Sequence, residues 1–294
     1  MYNIQAYFEP KTLDEAAALL ADNPDLKIIA GGTDLLIKMH HGKIEKVELL
    51  SIRKIKALEG ICKLEDGTIV IGALATFTQI ANDPVITENI PILREAALSM
   101  GGPQIRNVAT IGGNICNGVT SADSASSLFA LNARLKLRAK QGERVIPIEE
   151  FYLGPGKVDL KPWEILTEII IVPEDYVGYG GHYIKFSIRK AMDIATLGVA
   201  TLCKIKDGNV FDDVRIGLGV AAPTPIRCKE AENYAKGKVA SSKTLAEIAR
   251  LSVKSTKART SWRASREYRE HLVEELSRRA LKRAVINAGG AEIA

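Results

Sequence analysis

The sequence predicts an α+β protein in which two small mixed units precede an antiparallel sheet and a helical C-terminal region. Three observations carry this. Segments with a period of two and segments with a helical period interleave from the first residues onward. A Gly178-Tyr179-Gly180-Gly181 cluster punctuates the chain after a third β-rich run. The final stretch is patterned for helices alone.

Taken in order, residues 2–8 read as a strand. In Thr12-Leu13-Asp14-Glu15 the threonine is placed to cap a helix and the glutamate to reach back, as in a capping box. Leu13, Ala16, Ala17 and Leu20 then share one helical face, and Asn23-Pro24 ends it. Residues 27–30 make a short apolar strand running into Gly31-Gly32-Thr33-Asp34. A second unit begins near Leu58. Residues 61–64 and 68–72 form a hairpin about Glu65-Asp66-Gly67, followed by helical stretches at 76–82 and 91–100. The Gly-, Asn-, Ser- and Thr-rich segment 101–127 is too polar and too rich in breakers for packed core. Alternating residues 134–138 pair with 145–148 across Gly142, and Pro173 stops a β-run over 166–172. Past the glycine cluster come strands at 182–188, 194–206 and 214–220, with Asp207-Gly208 as a hairpin turn. Helices follow at 228–236, 245–254 and 265–287, the last closed by Gly289-Gly290.

Composition removes several classes of function. At 294 residues and 46% apolar content, the chain can bury roughly two domains' worth of core. A net charge of +5, no long basic run and only 5% aromatics argue against nucleic acid. No apolar window approaches about 18 residues, so no membrane span is expected. The opening Met1-Tyr2-Asn3-Ile4-Gln5 carries no secretory pattern. Cys62, Cys116, Cys203 and Cys228 are scattered without a C-x-x-C pair, which offers neither an iron–sulfur nor a zinc site and fits a cytoplasmic protein with reduced thiols. Basic residues concentrate between Arg250 and Arg283, interleaved with acids. That is a solvated helical face or a docking face for an acidic partner, with Arg263, Arg266 and Arg269 as candidates.

Two glycine pairs carry the chemistry. Ile28-Ile29-Ala30-Gly31-Gly32-Thr33-Asp34-Leu35 brings a buried strand to a sharp turn whose N–H groups can cradle a pyrophosphate, or to a plain tight turn with Asp34 as a local cap. Thr110-Ile111-Gly112-Gly113-Asn114 flanks its glycines with hydroxyl and amide groups, as a large polar cofactor requires. Ser121 to Ser124 can cap a helix through Leu128 and Leu131. The Gly217-Leu218-Gly219-Val220-Ala221-Ala222 pattern is rejected as a dinucleotide fingerprint, because Pro223 and Pro225 forbid the helix that would hold the phosphates. His40-His41 reads as a pair of loop residues pointing apart.

The two glycine segments together resemble the paired FAD signature of the molybdenum hydroxylase flavoprotein subunits. The likeness runs over essentially the whole chain, through Gln104-Ile105-Arg106-Asn107, Glu164-Ile165-Leu166 and Tyr183-Ile184-Lys185…Arg189…Asp193-Ile194-Ala195. Within that family, Asn117 to Ala125, Val220 to Arg227 and Ser261-Trp262-Arg263-Ala264-Ser265 resemble FAD subunits of bacterial three-subunit xanthine dehydrogenases.

The resemblance implies an FAD-binding domain over 1–177, with subdomains of about 1–58 and 59–177, and a C-terminal domain over 178–294. FAD, held noncovalently, would contact Ile28, Ile29, Ala30, Gly31, Gly32, Thr33, Asp34 and Leu35, then Thr110, Ile111, Gly112, Gly113 and Asn114. Asp123, Leu166 and Lys185 match further cofactor contacts. Met100 stands where some relatives stack an aromatic ring on the flavin. A side chain at Gly113 would fill the space of the phosphates and forbid a positive φ. Molybdopterin and [2Fe-2S] clusters would belong to a large and a small partner subunit, with NAD⁺ or another molecule as electron acceptor. The competing readings are a self-sufficient flavin oxidoreductase on the same fold and a nucleotide-binding module without redox turnover.

Overall fold

In the computed structural model, which describes residues 2–207 and 209–293, Thr12 Oγ1 accepts the Glu15 N–H at 3.2 Å while the Glu15 carboxylate returns to the Thr12 N–H. The capping box therefore forms as the sequence indicates and starts α1 (Leu13–Asp22), which follows β1 (Ile4–Phe8). Strand β2 (Lys27–Ile29), helix α2 (Leu35–His40) and strand β3 (Val47–Ser51) complete the first unit. Its sheet is wholly parallel in the order β1-β3-β2, since α1 and α2 supply the crossovers that parallel pairing requires. Central β3 is accordingly buried along nearly its whole length. Helix α2 corrects the reading of His40-His41. These residues close a helix instead of lying in a loop, and their rings are 5.9 Å apart, not divergent.

The second unit opens with the hairpin β4 (Ile61–Lys63) and β5 (Ile69–Gly72). Six helices follow: α3 (Phe77–Asn82), α4 (Pro84–Asn89), α5 (Pro91–Ser99), α6 (Pro103–Arg106), α7 (Ile111–Cys116) and α8 (Ala125–Ala130). Strands β6 (Arg134–Ala139) and β7 (Gly142–Pro147), the short α9 (Ile148–Phe151), the ribbon β8 (Tyr152–Gly154) with β9 (Lys157–Val158), and β10 (Ile165–Ile171) complete it. The sheet is antiparallel, ordered β4-β5-β10-β6-β7. Segment 101–127 overturns the expectation that it lies outside the core. Ile111, Ile115, Ala125, Ser124, Ser126 and Ser127 are all buried, because small residues let α7 and α8 pack closely and hydroxyls find partners such as Ile92 O for Ser127. Ser124 occupies the N-cap of α8 without a side-chain capping bond.

The third unit is a meander of β11 (Gly180–Phe186), β12 (Leu197–Lys206), β13 (Val210–Gly219) and β14 (Ile226–Arg227), then α10 (Lys229–Ala235), α11 (Ser242–Lys254) and α12 (Arg266–Asn287). Met1 of the opening residues and Gly208 of the second hairpin turn lie outside the described residues. One face of the sheet leans on α5 and α8, and α12 covers β11 and β12 from its own core. Residues 197–203 of β12 are thus buried without alternation. The glycine pattern at 217–219 has a packing cause. A Cβ on Gly217 would stand 2.2 Å from Ser126 O, so α8 crosses the sheet there at backbone distance.

Candidate cofactor site

Strand β2 delivers Gly31 against the 108–109 backbone of the second unit; a Cβ there would lie 2.0 Å from Val108 O. Gly32 turns the chain with φ +75, and its carbonyl accepts the Leu36 N–H at 3.0 Å, which begins α2. The first N–H groups of a helix have no partner within it. Asp34 occupies the N-cap but makes no side-chain capping bond, so the local-cap reading does not hold.

The second glycine pair is built differently. Thr110 caps α7 by accepting the Gly113 N–H at 3.2 Å, while Ile111 and Gly112 donate to Ala75 O and Ala73 O at 3.0 and 2.9 Å. Gly112 is the packing residue, since a Cβ would meet Ala73 O at 2.7 Å. A Cβ on Gly113 would meet only Thr110 Oγ1, at 3.0 Å, and otherwise face open space. Neither glycine has a positive φ, because both lie in the helix; that part of the expectation is corrected.

Between these segments lies a cavity of about 320 Å³. Every residue from Ile28 to Leu35 lines it, as do Thr110, Gly112, Gly113, Asn114 and Leu166. Ile111 does not; its side chain is fully buried in the core of the second unit. Met100 forms part of the wall. Lys38, Cys116 and Asn117 also line the cavity and were missed. Lys38 stands one helical turn after Asp34, and Asn117 one turn after Asn114, which is the signal that could have found them.

Polar groups around the cavity are held in place. Lys38 Nζ donates to Asn117 Oδ1 at 2.6 Å, joining the two units across the opening. Burial raises the Asp34 carboxyl above the usual range, with Lys38 and Asn117 acting against it. Asn114 Oδ1 accepts from Ser124 Oγ at 2.7 Å, which fixes the amide and turns its N–H groups to other uses. At the entry to β10, Arg144 grips Glu164 through two nitrogens at 2.7 and 2.8 Å, steadying Ile165 and Leu166. Burial pushes the Cys116 thiol up to about 12, which keeps it neutral.

Asp123 and Lys185 do not line this cavity. They form an ion pair at 2.9 Å, with only 9% and 8% of their side chains exposed, and Lys185 Nζ also donates to Ser99 O at 3.1 Å. Ser99 precedes Met100 of the cavity wall. Burial pushes the Asp123 carboxyl up to about 6 against the pull of Lys185, and its Oδ1 has no hydrogen-bond partner among the described residues. On its other side Lys185 lines a second cavity of about 290 Å³ with Ser99 and residues 186–190. Met192, at φ 53, pins the following loop by donating its N–H to Gly101 O at 3.2 Å.

Residues 2–174 match the FAD binding domain in molybdopterin dehydrogenase, and residues 182–284 match the CO dehydrogenase flavoprotein C-terminal domain. This chain belongs to the FAD-binding subunits of the molybdenum hydroxylases. The xanthine dehydrogenase FAD-binding subunit of Escherichia coli O157:H7 is 43% identical over 99% of both chains. The carbon monoxide dehydrogenase medium chain of Hydrogenophaga pseudoflava is 32% identical over 95% of this chain and 96% of the relative. A solved carbon monoxide dehydrogenase structure from the same organism superposes with a TM-score of 0.92 at 30% identity, covering 98% of this chain and 99% of that one. The subunit family thus shares its α+β architecture as well as its sequence. No helix among the described residues is long and apolar enough to cross a membrane.

Proposed function

We propose that FAD lies in the main cavity with its pyrophosphate against Gly32-Thr33 and Gly113, and that the chain works in a cytoplasmic xanthine dehydrogenase-like complex. The carrying observation is that two glycine segments 80 residues apart by number, at 32 and 112, meet across one cavity through the Gly31–Val108 contact. Gly113 supports this fit, since a side chain there would take up cavity space. Ahead of Leu36, whose N–H already bonds Gly32 O, the start of α2 leaves backbone N–H groups as donors, and Thr33, Asn114 and Asn117 add polar groups that orient a large ligand. Once bound, FAD supplies one- and two-electron redox chemistry. The Lys185–Asp123 pair stands behind this cavity and not in it, tied to its wall through the Ser99 carbonyl that precedes Met100.

In this reading a large partner subunit carries molybdopterin, where a purine is hydroxylated, and a small subunit carries the [2Fe-2S] clusters. FAD held by Gly32, Thr33 and Gly113 would supply the redox centre between those clusters and NAD⁺ or another acceptor. At the second cavity Asp123 and Asp193 already meet the charges of Lys185 and Arg189, and Lys190 adds the net positive charge that suits an anionic nucleotide as acceptor. The test is reconstitution with FAD followed by activity assays. The loaded chain should pass electrons from NADH to an artificial dye, yet oxidise no purine until joined to its partners. Purine oxidation by the single metal-free chain would overturn the division of labour.

A further inference from the structure

Three arginines converge at the start of α12, and among the described residues no carboxylate receives them. Arg269 is 3% exposed; it donates to Thr196 O and, at 2.9 Å, to Ser261 Oγ, while its Nε has no partner among the described residues. Arg263 Nε is likewise buried and unpartnered, as is Thr196 Oγ1. Arg259 is exposed beside them, and burial, then Arg259, then Arg263, lowers the pKa of Arg269. Among the described residues none of the three makes a salt bridge, and Glu270 nearby is taken by Arg266 at 2.7 Å. Buried cations are normally paired, because an unpaired one carries a large desolvation cost.

The surroundings are apolar and open. The Arg263 guanidinium stacks on Trp262 at 4.1 Å, and that indole is 77% exposed. Tyr268, one residue before Arg269, is 45% exposed and meets Phe186 edge-on; Ile188 and Ile194 flank the same strand ends at 64% and 50% exposure. Aromatic and arginine anchors around a desolvated charge are the anatomy of a protein–protein hot spot.

We infer that this face receives a partner subunit of the complex, which inserts a carboxylate between Arg263 and Arg269 while an apolar neighbour covers Trp262. The inference rests on the reading that the chain works in an assembly, and it commits to an acidic segment because only a negative charge completes the arginine cluster. It also revises the sequence-level docking face. Arg269 is the floor of the site and not part of an exposed basic strip, and Arg266 is already paired.

The experiment uses the FAD-loaded chain with its co-expressed molybdopterin and iron–sulfur subunits, and measures assembly by sedimentation for wild type, Arg263→Glu and Trp262→Ala. Both variants change exposed or half-exposed side chains, and an unchanged flavin spectrum and circular dichroism establish that they are folded. Assembly should weaken at least tenfold in each. Wild-type assembly by both folded variants overturns the inference while leaving the assembly reading intact, whereas failure of wild type to assemble removes that reading itself. Self-association of the lone chain that Trp262→Ala abolishes would reassign the face to a second copy. Saturable stabilisation of the lone chain by inorganic phosphate at matched ionic strength, lost in Arg263→Glu with assembly unchanged, would reassign it to a free anion. Either reassignment overturns the partner carboxylate.

Discussion

Gly31 and Val108 touch backbone to backbone, so closely that a methyl group on Gly31 would stand 2.0 Å from the Val108 carbonyl oxygen. This contact joins the first unit to the second at the edge of the main cavity. Gly31→Ala should therefore force the two apart, costing about 1–3 kcal/mol by overpacking, and weaken FAD binding together with thermal stability. Calorimetry and flavin fluorescence titration measure the two effects; an alanine variant unchanged in both would show that the contact is not needed.

The second glycine pair separates structure from binding. Gly113→Val should remove at least about tenfold in FAD affinity, since a tenfold change is about 1.4 kcal/mol, while circular dichroism stays native. Gly112→Ala should do the reverse, lowering the melting temperature through its collision with Ala73 O. Equal effects of the two substitutions would mean that the cavity does not hold the phosphates.

The buried pair gives a pH signature. Asp123 has its carboxyl at about 6 in the folded chain against an ordinary 3.8, so the native state holds the proton more tightly than the unfolded chain. Its contribution to stability is then absent well above pH 6 and grows as pH falls toward 4. Wild type should gain stability relative to Asp123→Asn on going from pH 7.5 to 5. Lys185→Met leaves an unpaired buried carboxylate and should cost about 3–5 kcal/mol at pH 8, and less at pH 5, where the carboxyl takes a proton. Denaturant melts at the two pH values check both; a Lys185→Met deficit independent of pH would contradict the assigned titration.

Much of the architecture is legible in the sequence, because caps and turns are local. Thr12 and Glu15 fix the start of α1, and the hairpin at 61–72 needs only its own alternation. The unread parts depend on distant contacts or short elements. Helices α2 and α7 have six residues each, too few for a hydrophobic period to declare itself. Burial of 101–127 depends on the sheet of residues 180–227, which meets α8 at a distance only glycine allows. The glycine segments pointed to one cavity, and most of their residues do line it. Ile111, Asp123 and Lys185 depart from that for a common reason: side-chain direction follows from packing partners remote in the chain. Arg269 on α12 looks solvent-facing by composition and is buried by Thr196 and Ser261.

The way β11 to β13 lean on α5 and α8 also bears on how such a protein could be cut or shuffled. Tyr183, Ala200 and Leu202 belong to the same apolar cluster as Ile92, Leu128 and Ile169. A fragment ending before residue 178 would present that cluster to water and should precipitate or stay molten when expressed alone. The C-terminal sheet is in effect the rear wall of the flavin half. A chimera that borrows the cavity from one relative must borrow the wall with it.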